Sequence, residues 1–151
     1  MYSFVLITHS WLRWAALLFG VAATLNAFRH RAHAGERPPG QRWDWFFMLA
    51  LDLQALFGVV LYFGFSPFTR EAIANVGLAV RDPGLRFWAI THVAMMIVAL
   101  VAVRAGRVLA MSSASPSRRR GRYICFAVAV AAMVAGVPWP GLANGRPLFR
   151  F

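Results

Sequence analysis

Lysine is absent from this chain; all sixteen basic residues are arginine. Acidic residues are scarce as well, five in all, which leaves a formal charge of +11. The single cysteine, Cys125, cannot form an internal disulfide. Without a CxxC or CxxCH motif, a cysteine zinc site and covalent haem attachment are excluded too. The chain carries no P-loop, no GxGxxG and no internal repeat, so the phosphate-cradling and dinucleotide-binding signatures are missing. No acid–base constellation suited to hydrolysis or group transfer occurs either. Polar stretches that would fold as a soluble domain are also lacking: charged residues make up 14% and hydrophobic residues 60%, far from the balance of a soluble globular domain.

What the chain has instead is apolar runs: Phe4–Phe28, Trp43–Phe65, Phe87–Leu109 and Tyr123–Trp139. A bilayer core of about 30 Å takes ~20 helical residues, with ~17 as the short limit. The runs therefore predict an all-α protein, a single transmembrane domain over residues 1–151, built as a four-helix bundle. The helices are expected over approximately 4–28, 43–65, 86–109 and 122–139. The first run is too long for the apolar part of a signal peptide, has no basic residue before it, and is followed by arginines, so a retained helix is expected.

Arginine placement sets the expected orientation. The connection after the first helix holds Arg29, Arg31, Arg37 and Arg42, and the one after the third holds Arg107 and the cluster Arg118 to Arg122. The middle connection has three arginines offset by Glu71 and Asp82. The two arginine-rich connections are therefore expected in the cytoplasm, with both termini and the middle connection on the periplasmic side of a bacterial inner membrane. Trp43 and Trp45 fall near the inner boundary, Trp88 and Trp139 near the outer one. In this setting the +11 charge reflects topology and anionic lipid headgroups rather than nucleic acid. The middle connection reads as a short interfacial helix, TREAIANVGLAV, with Thr69 as N-cap and Glu71 in its first turn. The tail, PWPGLANGRPLFRF, is broken by three prolines and two glycines and cannot be regular helix. Its aromatic-rich end suits a surface or a partner.

Ionisable groups at bilayer depth are costly and mark function. Four stand out: His9 and Arg13 on the first helix, Asp52 on the second and His92 on the third. At ~1.5 Å rise per residue, both histidines lie roughly 8–10 Å below the outer end. Two imidazoles at one level on parallel helices match the axial ligand pair of a haem b, with simple interhelical hydrogen bonding as the competing reading. Below them run small residues: Ala16, Gly20 and Ala23 on the first helix, and Ala99, Ala102 and Gly106 on the third. Such stripes leave room for a macrocycle or let backbones pack closely. Arg13 cannot lose its proton and needs an anion, and Asp52 is expected to supply it as a buried ion pair between helices one and two. The competing role for Arg13, shared with Arg86, is to neutralise a haem propionate. Gln54 aligns with Gly58 and Tyr62 on another face and reads as a hydrogen-bonding residue within reach of a quinone or pigment. His30 and His33 fall in the first connection and are assigned no role.

The segments HSWLRW, LDLQALFGVVLYF, LRFWAITHVAMM and the closing GVPWP resemble a group of small bacterial four-helix inner-membrane proteins loosely described as cytochrome b-like. The likeness spans Thr8 to Pro140. It implies a compact four-helix bundle with haem b held by helix histidines, at positions matching His9 and His92. The chain departs from the group in helix two, where Asp52-Leu53-Gln54 stands in place of His-Leu-Gln.

Three readings of function follow. The first is a haem b electron-transfer protein with its site near the periplasmic face, exchanging electrons with a quinone or a periplasmic carrier. The second is a non-catalytic accessory subunit of a larger respiratory or photosynthetic membrane complex, contacting lipid, pigment or neighbouring subunits. The third, a small transporter using Asp52 and Arg13 as a proton path, lacks the inverted repeats and interrupted helices of that class.

Overall fold

The computed structural model describes residues 1–32, 40–111, 115–142 and 144–149, and among them there is helix but no strand. Four long helices dominate: α1 (Tyr2–Arg29), α2 (Gln41–Val59), α6 (His92–Met111) and α7 (Pro116–Gly136). Two of them are extended by π-helical turns, α2 through Val60–Phe65 and α6 upstream through Phe87–Thr91. Between these turns lie three short helices, α3 (Pro67–Ala74), α4 (Val76–Arg81) and α5 (Pro83–Arg86). His33 and Arg37 in the first connection, and Arg150 and Phe151 at the end of the tail, lie outside the described residues.

Each long helix packs against two others: α1 against α2 and α7, and α6 against α2 and α7. The interior is made of small residues, Ala16, Ala23, Ala99 and Ala129, around one aromatic pair, Phe47 and Phe126. Those two rings meet edge to face at 5.9 Å. The small stripes serve helix packing here: a side chain at Gly20 would strike Phe47 and Val130, and one at Gly106 would strike Phe126. Bulky apolar residues point outward instead, among them Leu18, Leu56, Phe63, Val101 and Val108. A wide apolar exterior of this kind is what lipid contact requires.

Among the described residues, three segments are long and apolar enough to cross a membrane, Tyr2–Arg29, Gln41–Phe65 and Pro83–Met111. This is the signature of a multi-pass membrane protein. α7 differs from the expected 122–139 helix. It opens on Arg118–Arg122 and stops at Gly136, because Val137 precedes a proline and takes an extended conformation. Its apolar part is therefore shorter than the ~17 residues of a minimal span.

The middle connection also corrects the expectation. Its first helix is capped by Ser66, whose hydroxyl accepts from the Thr69 N–H, with Pro67 in the first turn, and Thr69 itself is inside the helix. Asn75 and Asp82 then cap two further helices by accepting from Leu78 N–H and Leu85 N–H, so the expected single helix is split in two at Asn75 and a third short helix follows it. The tail is non-helical as expected, but it folds back onto its own bundle. Leu148 carbonyl accepts from both Arg13 and Trp14, and the Phe149 ring stacks on Trp14 at 5.4 Å.

Candidate functional site

At the end of the bundle where α1 begins, each of the four long helices contributes one polar group to a common cluster. α1 supplies His9, α2 supplies Gln54, α6 supplies His92 as its first α-helical residue, and α7 supplies the Gly136 carbonyl. The two imidazole centroids are 6.5 Å apart, with their planes inclined by 68°. The level inferred from helical rise thus brings the two rings together across the bundle.

Their tautomers follow from their partners. His9 Nδ1 lies 3.1 Å from the Gln54 backbone oxygen, which can only accept, so Nδ1 is the protonated nitrogen. His9 Nε2 then accepts from the Gln54 side-chain amide at 3.1 Å. His92 repeats the arrangement, its Nδ1 donating to the Gly136 carbonyl at 2.7 Å. A backbone carbonyl on Nδ1 is the support that fixes a histidine to ligate through Nε2. Gln54 is only 4% exposed, and its Oε1 has no hydrogen-bond partner among the described residues. A buried acceptor left without a donor costs about 1–3 kcal/mol. The cluster is therefore not a closed packing unit.

Local structure explains how the groups reach each other. Gly58 sits one turn after Gln54, and a Cβ there would come within 3.2 Å of His9 Cε1. The glycine lets the imidazole lie close to α2. The two π-helical turns flank the cluster and are tied together by Tyr62, whose hydroxyl donates to the Ala89 carbonyl at 2.8 Å. Single π-turns inside helices recur at functional sites because they re-aim the residues that follow, and His92 follows one directly.

A cavity of about 690 Å³ opens beside the rings, with His9, His92, Gln54, Gly58, Tyr62 and Trp88 on its wall. That volume lies within the roughly 300–1,000 Å³ range of small-molecule and cofactor sites. A smaller cavity, about 70 Å³, lies on the tail side of the same two histidines and is lined also by Ser10, Arg13 and Arg146. Among the described residues no group of three or more His, Cys, Asp or Glu side chains is gathered. Among the described residues the donor set here is thus two imidazoles, too few for an all-protein tetrahedral metal site but the number that a bis-histidine haem takes.

The expected partner of Arg13 is different. Asp52 is paired with Arg104 of α6 at 2.7 Å, and Arg13 Nη2 instead donates to the Leu148 carbonyl at 2.6 Å. Asp52 faces away from α1, toward the crevice between α2 and α6, and the tail takes the position beside Arg13. The Asp52–Arg104 pair is partly exposed on the outer face of the bundle, at a depth where lipid rather than water surrounds it, so Asp52→Asn should lower the unfolding midpoint by leaving Arg104 without its partner. Thermal unfolding in micelles measures this; an unchanged midpoint would mean that water or headgroups already screen the pair.

Two other residues change place in the reading. Arg86 is exposed, donates to the Val80 carbonyl and does not line either cavity. His30 closes the end of α1, its Nδ1 2.9 Å from the Asn26 carbonyl. Sequence reasoning missed three arginines: Arg146 in the tail, Arg104 inside an apolar run, and Arg122, which had been grouped with its neighbours as a topological charge. Arg122 forms a fully buried two-pronged pair with Asp44, through Nε–Oδ2 at 2.9 Å and Nη2–Oδ1 at 2.6 Å. The available signal was the scarcity of acids, since each of five carboxylates in such a chain needs an explanation. Comparison with protein-family models, with curated proteins and with solved structures gave no match.

Proposed function

We propose that this chain is a cytochrome b-like protein of a bacterial inner membrane that binds haem b between His9 and His92, with the short α7 completing a fourth crossing as the exposed Arg118 and Arg120 reach out to the headgroups. Both termini lie on the periplasmic side in this reading, and electrons pass to or from a quinone or a periplasmic carrier. The observation that carries it is the meeting of two imidazoles from separate helices, each with Nδ1 held by a backbone carbonyl. Two imidazole nitrogens about 2 Å from one metal ion put the ring centroids roughly 6 Å apart, close to the 6.5 Å found.

When bound, the haem supplies a one-electron couple. The protein supplies the rest. His9 and His92 would hold the group through Nε2, and their Nδ1–H bonds to backbone carbonyls would raise ligand basicity and fix the ring planes. Gln54 must turn off His9 Nε2 to free that nitrogen; its Oε1 has no bond to lose by doing so. The apolar wall of the larger cavity excludes water, and burial tunes the potential.

The purified protein should give an oxidised and a dithionite-reduced visible spectrum of bis-imidazole haem b. His9→Ala and His92→Ala should each abolish the low-spin bands while leaving far-UV circular dichroism unchanged. A colourless wild-type protein from haem-replete cells would overturn the reading.

A second reading, the accessory subunit, is favoured by one observation. The Asp52–Arg104 pair is open to the outside of the bundle at bilayer depth, where charges are normally covered by protein. A neighbouring subunit on the α2–α6 face would cover it, and co-purification with a larger complex is its test.

A further inference from the structure

The tail is part of the site. Residues 144–149 cross the histidine end as a strap, pinned at Leu148 by Arg13 and Trp14 and started by the Arg146 N–H bond to the Pro138 carbonyl. Between these pins the Arg146 side chain lines both cavities beside the histidines. Its guanidinium carbon lies 5.4 Å from the Trp88 ring centroid. A cation lying on an aromatic face is held without losing its hydrogen-bond donors. Among the described residues lining the two cavities there is no aspartate or glutamate, and Arg146 is exposed at their rim, within reach of the charged edge of a ligand seated there.

We propose that Arg146 is the carboxylate-binding residue of the site, holding a propionate of the bound porphyrin through charge-assisted hydrogen bonds. Arg13 acts as a positioning residue: through the Leu148 carbonyl it keeps the strap, and with it Arg146, over the cavity. This assignment rests on the haem reading of the histidine pair.

The test compares two probes on the full chain purified from haem-deficient cells: haemin, with two carboxylates, and haemin dimethyl ester, with none. Optical titration and tryptophan quenching give both affinities. Wild type should prefer haemin by roughly 3- to 30-fold, the range of one charge-assisted bond at a partly solvated site. Arg146→Ala should bind the two probes equally, at the ester's wild-type affinity, and Arg146→Lys should restore part of the preference. Arg86→Ala, outside both cavities, should leave it intact. Equal wild-type affinity for the two probes, or an Arg146→Ala variant that keeps the preference, overturns the assignment alone. Binding of either probe that survives His9→Ala and His92→Ala overturns the haem reading, and the assignment falls with it.

Discussion

Arg122→Ala should destabilise the protein by about 3–5 kcal/mol, the cost of leaving a buried charge without its partner. Arg122 is 1% exposed and Asp44 is fully buried. The guanidinium holds both carboxylate oxygens and also lies 5.7 Å from the Phe126 ring. Removing the arginine strands Asp44 between α2 and α7; Arg107, the other cation that acts on it, donates to the Gln41 carbonyl instead. The loss should appear as a lowered unfolding midpoint in micelles, followed by far-UV circular dichroism. A paired replacement separates the penalty of an orphaned charge from the worth of the bridge. Asp44→Leu combined with Arg122→Met should recover most of the loss, since apolar residues of similar volume often replace a buried ion pair without cost. Should the double variant be as weak as the single one, the bridge itself is what joins α2 to α7.

Phe126→Ala should cost about 3 kcal/mol, the low end of the range for emptying a ring from a packed core. The low end applies because a ring released into lipid remains in hydrocarbon, so the loss is one of packing contacts rather than of transfer from water. The sharper result concerns Gly106. A Cβ placed there would come within 2.6 Å of Phe126 Cε1 and 2.8 Å of Cδ1. Gly106→Ala alone should therefore destabilise, overpacking by ~1–3 kcal/mol against ~1 kcal/mol gained in helix propensity. In the Phe126→Ala background the obstructing atoms are gone, and the nearest remaining neighbour is Cys125 Cβ at 3.3 Å. There Gly106→Ala should stabilise by about 1 kcal/mol, a change of sign that additivity forbids for residues not in contact. Four unfolding curves, wild type with the two single variants and the double, decide it. Simple additivity would mean that the ring moves aside freely and the interior is looser than its geometry.

Much of this architecture is legible in composition and spacing. Apolar runs longer than a bilayer needs leave only helix as a spanning form, because backbone groups in lipid must bond within their own segment. The matched level of His9 and His92 is likewise a matter of counting residues from the helix start, and the rings meet. What counting does not give is azimuth. Asp52 and Arg13 are close enough in depth to pair, yet rotation about α2 turns the carboxylate to Arg104. Arg104 was hidden because an arginine inside an apolar run reads as a flaw in the run rather than as a partner. The two π-turns add a further rotation that no 3.6-residue periodicity anticipates. Long-range closure was the other gap: nothing local in RPLF says that it returns some 135 residues to Arg13. The extent of α7 was misjudged because hydrophobicity continues through Trp139 while backbone geometry, set by Pro138, does not.

The strap has a consequence for the order of assembly. Residues 144–149 leave the ribosome after every helix of the bundle has been made, at a pace of roughly 5–20 residues per second. Until then the side of the histidine pair that faces Arg13 and Trp14 has no strap across it. Synthesis of the strap thus acts as a latch: once it has formed, that end of the bundle opens only when Leu148 leaves Arg13 and Trp14.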